Sequence, residues 1–133
     1  MAVIGKIAVI GGGSTYTPEL VDGFIVHRDE VQVEEIALHD INPERLEVVG
    51  GLVERMVRHA DLPTRITRTT DRAAALDGAA FVISQIRVGG MAARIRDEKI
   101  PLAHGVVGQE TTGPGGTLKA WRTIPVMLDI ARE

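Results

Sequence analysis

A run of apolar residues that ends in three glycines constrains this chain more than any other feature. Residues 6–16 have the sequence KIAVIGGGSTY, in which two hydroxyl residues and a tyrosine follow the glycines. This pattern is typical of a buried strand that turns sharply into the N-terminus of a helix. Backbone amides and the helix dipole at such a turn favour a bound phosphate. The sequence therefore predicts a strand at Lys6–Ile10 followed by a turn suited to a dinucleotide.

The glycines alone leave two interpretations open. The usual dinucleotide fingerprint, G-x-G-x-x-G, has a small residue where this chain has Tyr16. The turn therefore either binds a phosphate or only lets a strand and a helix pack closely. If it binds a cofactor, the residues expected around the pyrophosphate are Gly11, Gly13, Ser14 and Thr15. A side chain at position 13 would then crowd the pyrophosphate.

The composition argues against several classes of protein. The chain has 133 residues, of which 44% are hydrophobic and 25% charged, with a net charge of −3, as in an ordinary globular domain. No basic run favours nucleic acid, and no apolar segment approaches the roughly 18 residues of a membrane span. Without cysteine, the chain has no disulfide and no thiolate metal ligand. We expect a cytoplasmic protein that binds neither nucleic acid nor a membrane, since no signal-peptide pattern is present.

Strand and helix patterns alternate along the chain, which predicts an α/β fold with a Rossmann-type, doubly wound parallel sheet. The predicted strands are 6–10, 35–39, 65–69 and 79–86, and the predicted helices are 17–26, 43 to about 60, 71–76 and 117–132. Asn42 and Asp71 are expected N-caps. The fourth strand is expected to be covered on both faces because its first half is apolar. A glycine-rich stretch is expected at 105–116, and Pro125 should kink or restart the last helix.

Asp40 provides a second test of the cofactor interpretation. It follows the second predicted strand, where a dinucleotide-binding sheet places an acid that accepts hydrogen bonds from the ribose hydroxyls. A carboxylate there repels the extra phosphate of NADP, so it favours NAD, although Arg45 in the next helix could offset this. The alternative is that Asp40 only caps or shapes the turn before Pro43.

Three arginines follow the fourth predicted strand, in a segment expected to cross the ligand-binding edge of the sheet. They are Arg87, Arg94 and Arg96. Their planar guanidinium groups suit a phosphate or a carboxylate on a substrate. Ion pairing with Asp97 and Glu98 is the alternative, and the residues alone do not decide between the two.

Several motifs closely resemble the NAD-dependent family 4 glycoside hydrolases. They are GGGSTYTPEL at 11–20, RVGG at 87–90 with Arg94 beyond it, IPL at 100–102 and GVVGQETTGPGG at 105–116. The resemblance spans almost the whole chain, and a large residue at Tyr16 is normal for this family. The Ser-Thr-Tyr and Glu-Thr-Thr variants are most similar to those of the 6-phospho-β-glucosidases.

The resemblance implies roles for residues in the second half of the chain. Arg94, with Arg87, would bind the substrate, a 6-phosphorylated sugar glycoside. Glu110 would lie by the catalytic centre and raise the basicity of the tyrosine base of the full enzyme. In this family NAD takes a hydride from C3, which acidifies the C2 proton and lets the glycosidic oxygen leave by elimination. A divalent metal, usually manganese, holds the C2 and C3 oxygens. The implied cofactors are NAD and manganese, and the implied role is carbohydrate metabolism.

By this resemblance, the segments that carry the metal ligands, the acid and the base are expected to lie beyond residue 133. The chain's only tyrosine lies in the cofactor turn, and its four histidines have no ligand spacing and are expected to be structural or exposed. We therefore expect residues 1–133 to be an NAD-binding domain, truncated before the metal-binding and catalytic domain. It should hold no metal ligand and be inactive alone. A homo-oligomer is expected because open strand edges and exposed apolar side chains favour self-association. The family is itself oligomeric, although this chain need not form the same oligomer.

Two other classes of protein fit parts of the pattern. A dehydrogenase of the lactate and malate type shares the strand, turn and ribose acid, but its catalytic motifs do not match 109–116. A non-catalytic NAD-binding module is the other alternative, and the expected truncation favours it for the isolated chain.

Overall fold

The computed structural model describes residues 1–133 and contains four strands and five helices. In chain order these are β1 (Ala2–Ile10), α1 (Thr17–Val26), β2 (Val31–His39), α2 (Pro43–His59), β3 (Arg65–Thr69), α3 (Arg72–Leu76), β4 (Phe81–Ser84), α4 (Gly90–Ala103) and α5 (Gly113–Arg132). The chain divides into two compact units, residues 1–86 and residues 87–133. All five helices are too short or too polar to traverse a lipid bilayer.

The first unit is built on a parallel sheet with the strand order β3-β2-β1-β4. In register, Ile7 of β1 lies opposite Ile36 of β2 on one side and Phe81 of β4 on the other. Every neighbouring pair of strands is parallel, so each connection must cross over through a helix. The predicted fold class is confirmed.

The core of this unit lies where the central strands meet α1 and α2. Its buried residues are Ile7, Val9, Val21, Val33, Ile36, Leu38, Leu46, Val53 and Val57. Full burial of each such side chain contributes about 1.5–3 kcal/mol. The apolar runs of β1 and β2 end inside this core, which fixes the positions of the turns that follow them.

The predicted helix starts in the first unit are confirmed. The Asn42 side chain accepts a hydrogen bond from the amide of Arg45, and the Asp71 side chain accepts one from the amide of Ala74. Each cap satisfies an amide of the first turn that has no partner within the helix. The start of α2 is thereby fixed directly after Asp40.

The strands differ from the prediction at their ends. β1 and β2 begin earlier than expected, because Ala2 already pairs with Val31. β4 is shorter than the predicted 79–86, and the expectation that it is covered on both faces is wrong. Phe81 is 58% exposed and Val82 is 47% exposed. β4 pairs only with β1 and lies at the edge of the sheet.

The second unit consists of α4 and α5, and the prediction missed most of it. α4 occupies a segment to which no element was assigned, because its apolar spacing is weak and Pro101 lies inside it. α5 begins at Gly113 rather than at 117, with Pro114 in its first turn, where a missing amide costs no hydrogen bond. Of the kink or restart expected at Pro125, the restart does not occur, because α5 continues through that residue.

Candidate functional site

The glycine turn after β1 is shaped by contacts with the neighbouring strands. Gly11 has a φ of +93°, and a Cβ there would lie 2.7 Å from the carbonyl oxygen of Gln85. A Cβ on Gly12 would lie 2.8 Å from the Cβ of Leu38. Both glycines are therefore required for close packing of the turn on the sheet, whatever else the turn binds.

Most backbone amides of the turn are used within the protein. The amides of Gly11 and Gly12 both donate to the carbonyl of His39, at 2.9 and 2.7 Å, and the amide of Ser14 donates to the carbonyl of Gly11 at 3.0 Å. The amide of Thr15 has no partner, and this residue is exposed. The turn therefore offers one amide at the N-terminus of α1, fewer than its glycine content suggested.

Asp40 joins the end of β2 to this turn. Its Oδ2 accepts from the amide of Gly13 and its Oδ1 from the amide of Asn42, both at 2.9 Å. The role as a turn residue is therefore present in the structure. An ionised carboxylate has about four lone-pair positions, so Asp40 keeps the capacity to accept from two further donors.

Gly13 is needed for this contact. A Cβ at position 13 would lie 2.8 Å from Oδ2 of Asp40 and 3.1 Å from the Cβ of Arg45. A side chain there would displace the protein's own carboxylate before it crowded any ligand. The same distances place the exposed Arg45 beside the turn.

Two residues that were not predicted, Thr17 and Gln85, hold the turn in place through hydrogen bonds. Thr17 is buried, and its hydroxyl donates to the carbonyl of Gly12 at 2.9 Å. The Gln85 amide donates to the Thr17 hydroxyl at 2.5 Å and to the carbonyl of Gly11 at 3.3 Å. Gln85 could have been noticed in the sequence, because it is a polar residue near the end of the apolar run 79–86.

His39 lies at the end of β2, one residue before Asp40, and is buried. Its Nδ1 atom has no hydrogen-bond partner. Burial lowers the pKa of His39, and the nearby carboxylate of Asp40 only partly opposes this. The imidazole is therefore neutral at pH 7 and behaves as a structural residue.

In the second unit, three basic side chains surround the carboxylate of Glu110. Arg87 Nη1 contacts Oε1, Arg94 Nε lies 3.3 Å from Oε2, and Lys119 Nζ lies 3.5 Å from Oε1. Arg94 Nε also donates to Glu98 at 2.8 Å. The structure thus brings together the predicted Arg87, Arg94 and Glu110. It adds Lys119, which the sequence analysis missed.

The remaining predicted arginine, Arg96, is exposed on α4 and stands outside this group. Its neighbour Asp97 is buried and pairs with Arg122 of α5 through two hydrogen bonds of 3.2 and 2.5 Å. These hydrogen bonds lower the pKa of Asp97 and raise that of Arg122. Arg122 Nε also donates to the carbonyl of Val88 at 2.8 Å. The pair fixes α4, α5 and the turn that carries Arg87 to one another.

No group of three or more His, Cys, Asp or Glu side chains in residues 1–133 could hold a metal ion.

Most of the chain is similar to known proteins. Residues 6–133 match the model of a family described as family 4 glycosyl hydrolase. Over 130 residues the chain is 55% identical to a Bacillus subtilis protein named probable 6-phospho-beta-glucosidase, and the match covers 96% of this chain and 29% of that protein.

Two solved structures are similar to this fold. One is the 6-phospho-beta glucosidase of Thermotoga maritima with manganese, NAD+ and glucose-6-phosphate, with a TM-score of 0.89 and 39% identity over 96% of this chain and 30% of that chain. The other is a 6-phospho-alpha-glucosidase from gut microorganisms with NAD and Mn2+, with a TM-score of 0.89 and 33% identity over 96% of this chain and 29% of that chain. This chain spans about 29% of the length of the curated relative above.

Proposed function

The chain belongs to family 4 of the glycosyl hydrolases, and on that premise we propose that it supplies the NAD-binding part of a 6-phospho-β-glucosidase. The family resemblance inferred from the motifs is confirmed, and the dehydrogenase alternative is wrong. The preference for the β-glycoside rests on the relative with 55% identity and on the Ser-Thr-Tyr and Glu-Thr-Thr variants. The activity belongs to the whole enzyme, of which these residues match about 29%.

One observation carries the cofactor proposal: the glycine turn and the Asp40 carboxylate lie together at the carboxyl ends of β1 and β2. The pyrophosphate of NAD would accept from the Thr15 amide and from the hydroxyls of Ser14 and Thr15. The Ser14 hydroxyl accepts from the amide of Tyr16 at 3.2 Å, which leaves its proton free to donate. The donor set therefore fits a phosphate. When bound, NAD supplies the hydride acceptor.

We propose that Asp40 selects NAD over NADP. The carboxylate stays in place through its bonds to the amides of Gly13 and Asn42, and its free lone pairs can accept from two ribose hydroxyls. A phosphate on the ribose would meet this fixed negative charge. The exposed Arg45 beside the turn opposes this effect, but it is not held by a comparable pair of hydrogen bonds.

The second unit would bind the phosphate of the sugar. Arg87 and Arg94 lie on one carboxylate, that of Glu110, and their partly exposed guanidinium groups suit a phosphate. The proposed effect of Glu110 on a tyrosine base rests on the family resemblance alone. Residues 1–133 contain no side-chain group that fits manganese, so we derive no step through the metal from these residues.

Two broader proposals accompany this function. A cytoplasmic location suits an enzyme that uses NAD and a phosphorylated sugar. A homo-oligomer is proposed on the family resemblance, and light scattering of the protein would test it.

The cofactor proposal can be tested by calorimetric titration with NAD and NADP. The wild-type protein should bind NAD at least about tenfold more tightly, because a like charge beside the 2′-phosphate costs more than 1.4 kcal/mol. Asp40→Asn should lose most of this preference. Asp22→Asn, an equal charge change at an exposed position on α1, should keep it. Equal affinity of the wild type for both cofactors would contradict the role of Asp40.

The substrate proposal has a separate test. Arg94→Ala should weaken binding of glucose 6-phosphate at least about tenfold, because a charge-assisted hydrogen bond to the phosphate is lost. Arg96→Ala removes an equal charge from the exposed side of α4 and should leave the affinity unchanged. If the protein binds NAD but no sugar phosphate, the non-catalytic module is the better description.

A further inference from the structure

We propose that Lys119 is the third cation of a phosphate site formed with Arg87 and Arg94, and that Glu110 is the counter-ion that positions all three. The ligand class is a phosphate monoester of a small polar molecule. This inference rests on the proposed function and adds to it a specificity residue on α5.

The carboxylate at the centre of this group is less exposed to solvent than the three cations around it. The side chain of Glu110 is 15% exposed, whereas those of Arg87, Arg94 and Lys119 are 37%, 38% and 36% exposed. The carboxylate is thus covered, and the three cations surround it with part of each side chain open to solvent. A second anion could approach the cations without removing Glu110.

Lys119 is held less closely than the two arginines of this group. Arg87 Nη1 contacts Oε1 of Glu110, and Arg94 Nε donates to Glu98 at 2.8 Å. The Lys119 ammonium has three N–H donors and lies 3.5 Å from Glu110, an ion pair too long for a hydrogen bond. Its protons remain available to a stronger acceptor such as a phosphate dianion.

A shallow cleft of about 310 Å³ opens beside Lys119 and Glu110. Its walls include Glu110, Thr111, Lys119, Thr123, Ile124 and Met127. The lining therefore combines charged, hydroxyl and apolar side chains. A phosphate on the cations would leave the attached sugar in this cleft.

The separation of the cations is fixed by the scaffold of the unit. Arg94 lies on α4 and Lys119 on α5, and the buried Asp97 bonds to Arg122 between these two helices at 3.2 and 2.5 Å. Arg122 also holds the carbonyl of Val88, the neighbour of Arg87. Each of the three cations is therefore carried by a segment that this pair holds in place, so little rearrangement is needed to bind an anion.

Lys119→Met tests the proposal, with Lys99→Met as its matched control. Lys99 is exposed on α4 in the same unit and stands outside the group around Glu110. In calorimetric titrations with glucose 6-phosphate, Lys119→Met should raise the dissociation constant about tenfold. Lys99→Met should leave it unchanged, and Lys119→Arg should restore most of the affinity. Melting curves identify any variant that fails to fold, and Lys119→Arg then decides.

The outcomes separate this inference from the proposed function. If Arg94→Ala loses affinity while Lys119→Met and Lys99→Met both match the wild type, the phosphate binds as proposed and the role of Lys119 is wrong. If Lys119→Met and Lys99→Met weaken binding of glucose 6-phosphate equally, the loss reflects only the net charge of the protein. The proposed role of Lys119 in the phosphate site is then also wrong. If Arg94→Ala has no effect either, the sugar phosphate binds elsewhere and both proposals fail.

Discussion

The two units of this chain are held together by different forces. Residues 1–86 bury a continuous set of aliphatic side chains between a parallel sheet and its helices. Residues 87–133 bury only Ala93, Asp97, Pro101, Gly115 and Ile130, so the pair between Asp97 and Arg122 lies at their centre. The first unit is stabilised mainly by apolar burial, and the second depends on a charged pair and on close helix contacts at small residues.

This difference corresponds to the chemistry that we propose for each unit. The cofactor site depends on one backbone amide and one carboxylate in fixed positions. A packed sheet can hold the backbone turn that carries them in one geometry. The second unit can be held together by charged side chains, because these side chains form hydrogen bonds and ion pairs with one another. The comparison predicts that core truncation will damage the first unit and loss of charge the second.

The largest expected effect is that of Leu38→Ala in the first unit. Leu38 is fully buried in β2, and such truncations cost about 2–5 kcal/mol through lost burial and a residual cavity. Leu52→Ala, on the outer part of α2 where the side chain is 40% exposed, should cost no more than about 1 kcal/mol. Urea unfolding of both variants measures this. Equal losses would show that the sheet core does not dominate stability.

The next effect concerns the second unit. Asp97→Ala leaves Arg122 without its buried partner, so amide exchange across α4 and α5 should quicken at least about tenfold. The control is Asp129→Ala, which removes the exposed pair with Arg132 and should change little. Exchange that quickens equally in β1 and in α4 would contradict the separate bases of stability.

The pH dependence of the second unit follows from the same pair. The hydrogen bonds from Arg122 lower the pKa of Asp97 below its ordinary value of 3.8. The stabilisation is therefore present above pH 3.8 and is lost as the pH falls through the lowered pKa. Wild-type α4 should lose exchange protection over this range more steeply than Asp97→Asn, whose amide does not titrate. Parallel pH curves for the two proteins would contradict this role.

The smallest expected effect is a pH response of the first unit. Burial lowers the pKa of His39 from 6.5, so the unfolded chain takes up a proton in a range where the folded chain does not. Stability should fall as the pH drops below 6.5 and through the lowered pKa. His39→Gln should flatten this slope, whereas His59→Gln, at an exposed position on α2, should not. The imidazole proton shifts of His39 and His59 in NMR spectra provide the direct measurement.

The sequence predicted the first unit well for a physical reason. Its strands are apolar runs bounded by glycine or by N-caps, and those signals are local. β3 at Arg65–Thr69 and α1 at Thr17–Val26 have the predicted bounds. The exposure of Phe81 was not predictable in this way, because it depends on the place of β4 at the edge of the sheet.

The second unit was not predicted because its helices lack the regular apolar spacing that identifies a helix in a sequence. α4 begins at Gly90, directly after its N-cap Gly89, and both glycines have positive φ values. A pair of glycines favours a loop when only neighbouring residues are considered. The stability of α4 comes from Asp97 and Arg122, which are 25 residues apart. Lys119 was missed because its proximity to Glu110 depends on how the loop before α5 folds back along that helix, which apolar periodicity does not show.

A two-ligand NMR titration tests the division of labour between the units most directly. NAD should shift the amide signals at 11–17, 40–42 and 44–45, with the largest shift at Thr15. Glucose 6-phosphate should shift the signals of Arg87, Arg94 and Lys119 and none in the glycine turn. NAD shifts confined to 87–133, or sugar-phosphate shifts centred on the turn, would contradict the assignment of the cofactor to the first unit and the sugar phosphate to the second.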